Sequence, residues 1–150
     1  MERESPPTSS SGDVFADPAV VDRYVADRER GLTDRERRAV ERYFRPEGSQ
    51  VLDVGCGAGR TSRALSQRGY DVVGVDVSEA MVRAARRQDG REPTYLVGDA
   101  TALPFEDAAV AHALFSYNGL DGIAPERRRL AAITEVRRVL EPGGTFVFSS

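Results

Sequence analysis

Residues 51–59 read Val51-Leu52-Asp53-Val54-Gly55-Cys56-Gly57-Ala58-Gly59, an apolar run that meets an acid and then three glycines spaced two apart. A buried strand that empties through a glycine-rich turn into a helix is a strand–helix unit. Glycine permits the tight turn and leaves no side chain between backbone and ligand. The helix expected from Arg60 aims its free N–H groups at a carboxylate or phosphate. Spacing then narrows the ligand. The dinucleotide fingerprint is G-x-G-x-x-G, and its third glycine would fall where Arg60 stands. Asp53, two residues before the first glycine, would repel a pyrophosphate and suits a ligand carrying an ammonium group.

The rest of the chain supplies the frame for such a unit. Met1 to about Asp13 holds Pro6-Pro7 and Ser9-Ser10-Ser11-Gly12 with few apolar residues, so it is expected to be a disordered tail. Asp17-Pro18 reads as an N-cap with proline at the first helical position. Val20, Val21, Tyr24 and Val25 line one face of that helix, and Gly31 stops it. Thr33 and Glu36 form a capping box for a second helix, which presents Ala39, Val40, Tyr43 and Phe44 and breaks at Pro46. The N-terminal helices thus cover 17–45.

From residue 50 strands and helices alternate. Strands are expected at Gln50–Val54, Asp71–Asp76, Thr94–Val97, within Ala108–Ser116, and at Thr145–Ser150. Helices are expected at Arg60–Arg68, after the Ser78 cap with Met81, Ala84 and Ala85 on its apolar face, and at Pro125–Leu140. The last would bury Leu130, Ile133, Val136 and Leu140. Glu141-Pro142-Gly143-Gly144 is expected to turn the chain into the fifth strand. Short apolar strands alternating with helices imply a Rossmann-like doubly wound parallel sheet covered on both faces, a three-layer α/β/α domain over 14–150.

Composition excludes several classes. At 150 residues the chain suits one domain, and its net charge of −3 gives no global drive toward nucleic acid. All 21 basic residues are Arg. The clusters Arg127-Arg128-Arg129 and Arg137-Arg138 read as a solvated helix face. Cys56 is alone, so neither an internal disulfide nor a cysteine-metal cluster can form. With no signal peptide or long apolar run, the expected location is cytoplasmic, with no membrane partner.

In open α/β sheets ligands collect beyond the carboxyl ends of the strands, so the strand ends carry the chemistry. Asp76 ends the second strand about twenty residues past the loop, where an acid can accept both hydrogen bonds of a ribose diol. A strand-end cap is the less favoured reading, and the spacing alone fits a nicotinamide cofactor equally well. Gly98-Asp99-Ala100 ends the third strand. There a carboxylate can accept from the exocyclic amine of adenine while the next N–H donates to the ring; a simple Asp turn is the other reading. Tyr24 could close over a cofactor or pack in the core. His112, the only histidine, reads as a sheet histidine rather than a general base. Phe115-Ser116-Tyr117-Asn118-Gly119-Leu120-Asp121 follows the fourth strand, and Tyr117, Asn118 and Asp121 are candidates for acceptor contact.

The glycine segment resembles motif I of the class I S-adenosylmethionine-dependent methyltransferases. So do Val75-Asp76-Val77-Ser78 with Met81, Gly98-Asp99-Ala100 with Leu103-Pro104-Phe105, and Arg138-Val139-Leu140-Glu141-Pro142-Gly143-Gly144, all in order over roughly 14–150. The resemblance implies S-adenosylmethionine as cofactor. It places Gly55, Cys56, Gly57 and Gly59 around the methionine part and Asp53 near its ammonium group. Asp76 would lie on the ribose, Val77 and Met81 on the adenine, Gly98, Asp99 and Ala100 at its edge, and Phe115 beside the site. Val110-Ala111 stand where the family usually has Phe-Asp. The segment after the fourth strand lacks the Asn/Asp-Pro-Pro-aromatic signature of base or amide methylation, and no Pro-Cys supplies a cytosine-attacking thiolate.

The implied function is methyl transfer to a small-molecule acceptor. The alternatives are an NAD-dependent oxidoreductase, or a truncated cofactor-binding module acting through interaction without turnover. The family core has seven strands, so the last two are expected to be lacking here. The bare edge of the fifth strand would then invite self-association. A Gly57→Val change is expected to block the ligand while largely sparing the fold.

Overall fold

A computed structural model of the chain describes residues 14–45, 48–117 and 119–150. The expected tail, the Pro46 break and Asn118 lie outside the described residues. Among the described residues, helix α1 (Pro18–Asp27), a short 3-10 turn (Arg28–Arg30) and helix α2 (Asp34–Tyr43) precede the sheet. The local signals act as expected. The Asp17 side chain accepts from Ala19 N–H, Gly31 exits the 3-10 turn with φ +63°, and the Thr33–Glu36 capping box forms in both directions. Val40 and Phe44 of the second apolar face are buried, but Tyr43 is 54% exposed, under the Arg42 guanidinium.

The core follows as β1 (Gln50–Val54), α3 (Arg60–Gln67), β2 (Asp71–Asp76), α4 (Glu79–Asp89), β3 (Thr94–Val97), β4 (Val110–Phe115), α5 (Glu126–Val139) and β5 (Leu140–Phe148). The five strands form one parallel sheet in the order β3-β2-β1-β4-β5. The order reverses between β1 and β4, so the loops after those strands diverge and leave a crevice there. Val51, Leu52 and Val54 of β1 and every residue of β4 are buried, as expected for central strands covered on both faces.

Two expectations fail on the β5 side. The Glu141-Pro142-Gly143-Gly144 segment does not precede the strand; it bulges within it. Val110 pairs with Leu140 and His112 with Thr145, so four residues of β5 loop out opposite Ala111 alone. Pairing on both sides of the bulge starts the strand earlier than glycine and proline suggest. Helix α5 is also rotated relative to the expected face: Ala132, Val136 and Val139 are buried, whereas Leu130 is 57% and Ile133 37% exposed. Ile133 instead lines an open groove with Leu140, Pro142 and Phe146. Among the described residues no strand pairs with the outer side of β5.

Candidate functional site

The crevice is built from the glycine loop upward. Asp53 ends β1 wholly buried, and its Oδ2 accepts from the hydroxyls of Thr61 and, at 2.6 Å, Ser62 in the first turn of α3. Those bonds pin the helix start beneath the loop. Asp53 Oδ1 has no partner, the one buried carboxylate oxygen left so among the described residues. Burial pushes the Asp53 carboxyl up to about 6, against the pull of the two hydroxyls. An unpaired buried carboxylate oxygen gains most from a cationic partner.

The loop glycines serve packing as well as clearance. Gly55 and Gly57 have φ of +63° and +54°, values that side chains other than glycine rarely adopt. A Cβ on Gly55 would lie 2.6 Å from the Phe115 ring, and one on Gly57 3.2 Å from the Tyr24 ring. The Phe115 ring also abuts Gly119, so it is seated between two glycines at the switch point. Gly59 faces the buried Tyr95, whose hydroxyl donates to Asp89, itself paired with the buried Arg28. A valine at Gly57 would therefore strain the backbone and press on Tyr24, which corrects the expectation that Gly57→Val largely spares the fold.

Cys56 points inward, packed with Val82, Ala85 and Tyr95, and burial holds its thiol well above the usual range. Asp76 sits between the two readings offered by sequence. Its Oδ2 accepts from Gly57 N–H at 2.9 Å and its Oδ1 from Ser78 N–H at 2.8 Å. It thus fastens the glycine loop to the tip of β2, and each oxygen retains acceptor capacity. Burial raises its carboxyl above the ordinary value despite these bonds. Ser78 caps α4 by accepting from Met81 N–H.

Val77 is 56% exposed beyond the strand tip, but Met81 is buried against Val21, Ala58 and Ala84 and belongs to the core. Gly98 ties β3 to β2 through Gly98 N–H to Asp76 O at 3.0 Å, and a Cβ there would lie 3.0 Å from Val75. Asp99 begins a turn. Its Oδ1 accepts from both Thr101 N–H and Thr101 hydroxyl at 2.8 Å, and its Oδ2 pairs with Arg128 at 2.8 Å. Burial raises the Asp99 carboxyl, but these donors outweigh it and the net direction is down. Ala100 is half-buried beside it. Arg128 is thus not part of a purely solvated face. Nor is Arg138, which pairs with Glu135 and Asp107 and donates to the carbonyls of Leu103 and Phe105.

A second hollow, of about 390 Å³, opens between the N-terminal helices and the ends of β4 and β5. Tyr24, Thr33, Arg35, Glu36, Tyr117 and Ser149 line it. Tyr24 is common to this cleft and to the glycine loop. Behind it lies a hub that the sequence did not reveal. Arg60 is buried and forms a two-pronged ion pair with Glu36 at 2.7 and 2.8 Å, donates to Gly31 O, and stacks 4.0 Å from the Tyr117 ring. Tyr117 holds φ +52° and donates its hydroxyl to Asp27 at 2.7 Å.

Of the acceptor candidates, only Tyr117 reaches this cleft among the described residues; the Asp121 side chain is exposed outside its lining. His112 is buried in β4. Its Nε2 accepts from Arg45 N–H at 2.7 Å, and its ring stacks on Phe44 at 4.4 Å. Burial, then the nearby Arg45 charge, lowers its pKa. It is a sheet histidine, as expected. No described helix is long and apolar enough to cross a membrane.

Comparison with known proteins agrees with this geometry. Residues 51–144 match the family described as a methyltransferase domain. The demethylmenaquinone methyltransferase of Renibacterium salmoninarum is 38% identical over 120 residues, which is 78% of this chain and 48% of that protein. The malonyl-[acyl-carrier protein] O-methyltransferase of Serratia marcescens is 36% identical over 103 residues, 69% of this chain and 38% of that protein. The chain therefore spans about half or less of the length of these relatives.

Among solved structures, the complex between the Haloferax volcanii Trm112 methyltransferase activator and a methyltransferase gives a TM-score of 0.78 at 32% identity, over 93% of this chain and 59% of that one. The sheet order, the glycine loop at the switch point and these matches lead to one conclusion. This chain belongs to the class I S-adenosylmethionine-dependent methyltransferase family.

Proposed function

We propose that this chain binds S-adenosylmethionine across the tips of β1, β2 and β3 and transfers its methyl group to a small-molecule acceptor. The observation that carries the reading is the unpaired, buried Oδ1 of Asp53, two residues before a glycine loop that is itself fastened to Asp76. That oxygen suits an ammonium group and would repel a pyrophosphate. Gly55, Gly57 and Gly59 would hold the methionine part, Asp76 the ribose diol, and exposed Val77 the adenine face. Asp99 has three of its acceptor positions filled, so Ala100 and Gly98 would do more of the work at the adenine edge. Phe115 would act from beside Gly55.

When bound, the cofactor supplies a methyl group on a sulfonium, a good leaving group. The residues of this chain then need to align the acceptor and exclude water. The cleft shared by Tyr24 and Tyr117 is the acceptor side in this reading. Two relatives, named demethylmenaquinone methyltransferase and malonyl-[acyl-carrier protein] O-methyltransferase, support a small-molecule or carrier-bound small acyl acceptor. We further propose a cytoplasmic location and self-association through the outer side of β5.

Titration calorimetry with S-adenosylhomocysteine and with NAD separates the two cofactor classes, and a labelled-methyl screen tests turnover. The expected result is micromolar binding of the first, none of the second, and transfer to at least one small acceptor. NAD binding alone would reverse the reading. Binding without any transfer would favour the interaction-module alternative.

A further inference from the structure

Charge around the cleft is unevenly settled. Glu36 is neutralised by the two-pronged Arg60 pair and also accepts from Thr33 N–H at 2.7 Å. Asp27 pairs with Arg30 at 3.0 Å and takes the Tyr117 hydroxyl. Asp34, next to the rim, pairs with Arg37 at 3.2 Å, and Glu29 pairs with Arg63. Arg35 lines the same cleft, is exposed, and forms no ion pair or hydrogen bond with any described residue. Every acid at this rim is thus already matched, and one guanidinium is left over.

That guanidinium presents a planar fork suited to two oxygens of one anion. The Thr33 hydroxyl stands near it, accepting from Glu36 N–H and free to donate its own proton elsewhere. One face of the Tyr117 ring is covered by Arg60, and the residue is 48% exposed, so its other face is open. Tyr24 supplies a second ring on the same cleft. An uncharged polar acceptor would gain nothing from the spare cation, and a cationic one would be repelled.

Resting on the acceptor side assigned above, we propose that Arg35 sets acceptor specificity by pairing with an oxyanion group, a carboxylate or phosphate, on a flat acceptor held between Tyr24 and Tyr117. Arg35 is a specificity residue and takes no part in bond breaking. It lies outside the glycine loop, so cofactor binding and anion selection are separable.

The test uses the full chain and three probes of one shape: benzoate, phenyl phosphate and benzamide. Arginine side-chain NMR resonances are followed in the native protein and in Arg35→Gln and Arg35→Lys. The expected result is saturable shifts of the Arg35 resonance with one or both anions and none with benzamide. In Arg35→Gln the remaining cleft resonances should lose their anion response by at least tenfold in apparent affinity, with partial recovery in Arg35→Lys. The stronger of the two anions names the oxyanion class.

Equal response to benzamide, or undiminished anion binding in Arg35→Gln, overturns the proposal. S-adenosylhomocysteine titration of the same samples keeps the outcomes apart. Loss of that binding in the native protein would remove the cofactor reading while leaving the anion result to stand or fall by itself.

Discussion

The cradle around the glycine loop and the cleft beside it share Tyr24, yet they are held by different forces. The cradle rests largely on backbone groups, Gly98 N–H to Asp76 O and Cys56 N–H to Val75 O, with Gly57 N–H on the Asp76 carboxylate and Phe115 and Tyr24 seated on glycines. The cleft rests on side chains from distant parts of the chain: Arg60 with Glu36, Tyr117 with Asp27, Arg60 over Tyr117. Backbone bonds within a sheet constrain what any sequence on this fold can do. Side-chain pairs between elements can change without disturbing the sheet. In the proposed reading the cradle would hold the cofactor in common and the cleft would be where acceptors differ.

The sharpest way to break that contrast is to cut the cleft's hub. Both partners of the Arg60–Glu36 pair are nearly inaccessible, with side chains 7% and 9% exposed, so Arg60→Met strands a buried carboxylate and should cost about 3–5 kcal/mol in urea unfolding. Adding Glu36→Leu in the same chain should recover most of that loss, since a well-packed apolar pair avoids the cost of two buried charges. If Arg60→Met alone is nearly neutral, the hub does not hold the cleft together.

Within the cradle, Asp53→Asn separates fold from ligand. The Asp53 carboxyl is raised to about 6 from the ordinary 3.8, so the folded chain binds its proton more tightly than the unfolded chain. The cost of burying its charge is absent below the ordinary value and complete above about pH 6. Stability should therefore fall as pH rises through that window, by about 3 kcal/mol for a shift of this size. Asp53→Asn should flatten the fall and raise stability at pH 7. It should also weaken S-adenosylhomocysteine by roughly tenfold to a hundredfold, the loss of one charge-assisted bond. Native affinity should decline below pH 6 while the variant's stays level. A variant that binds as tightly as the native chain would show that Asp53 is structural only.

The fold was legible where local rules and tertiary packing agree. The bounds of β1, β2 and β3 follow from apolar runs ended by Asp or Gly, and the caps at Asp17, Thr33 and Ser78 form as their residue types require. The fifth strand was misread because Pro142 and Gly143 stop a strand locally, whereas here they occupy a bulge between two paired stretches. The α5 face differs from the expected one because Leu130 and Ile133 follow helical spacing, yet Leu130 is exposed and Ile133 lines an open groove rather than the sheet.

At the site, the acids at the strand tips were visible and their surroundings were not. Asp99 engaged by Arg128 depends on two residues 29 apart, and the Arg60–Glu36 pair on two residues 24 apart. Arg60 drew notice only as a missing glycine, and Glu36 only as a capping partner. A long cationic side chain at the first position of the helix after the loop, with an acid in the preceding helix, was the signal available.

The smallest effect lies at the cradle's rim. The Asp99–Arg128 pair is half exposed, 42% and 50%, and such pairs contribute about 0–1 kcal/mol. Arg128→Ala should leave the melting temperature within a degree or two. By releasing one oxygen of Asp99 for adenine, it should hold or slightly raise S-adenosylhomocysteine affinity. A tenfold loss of affinity would place Arg128 itself against the ligand.

The most direct test is a crystal structure of the chain grown with S-adenosylhomocysteine. The account predicts the ligand's ammonium within hydrogen-bond reach of Asp53 Oδ1, its ribose on Asp76 and its adenine beside Val77, with the Tyr24–Tyr117 cleft left open at the sulfur. Ligand density in any other hollow, or none at millimolar concentration, would contradict it.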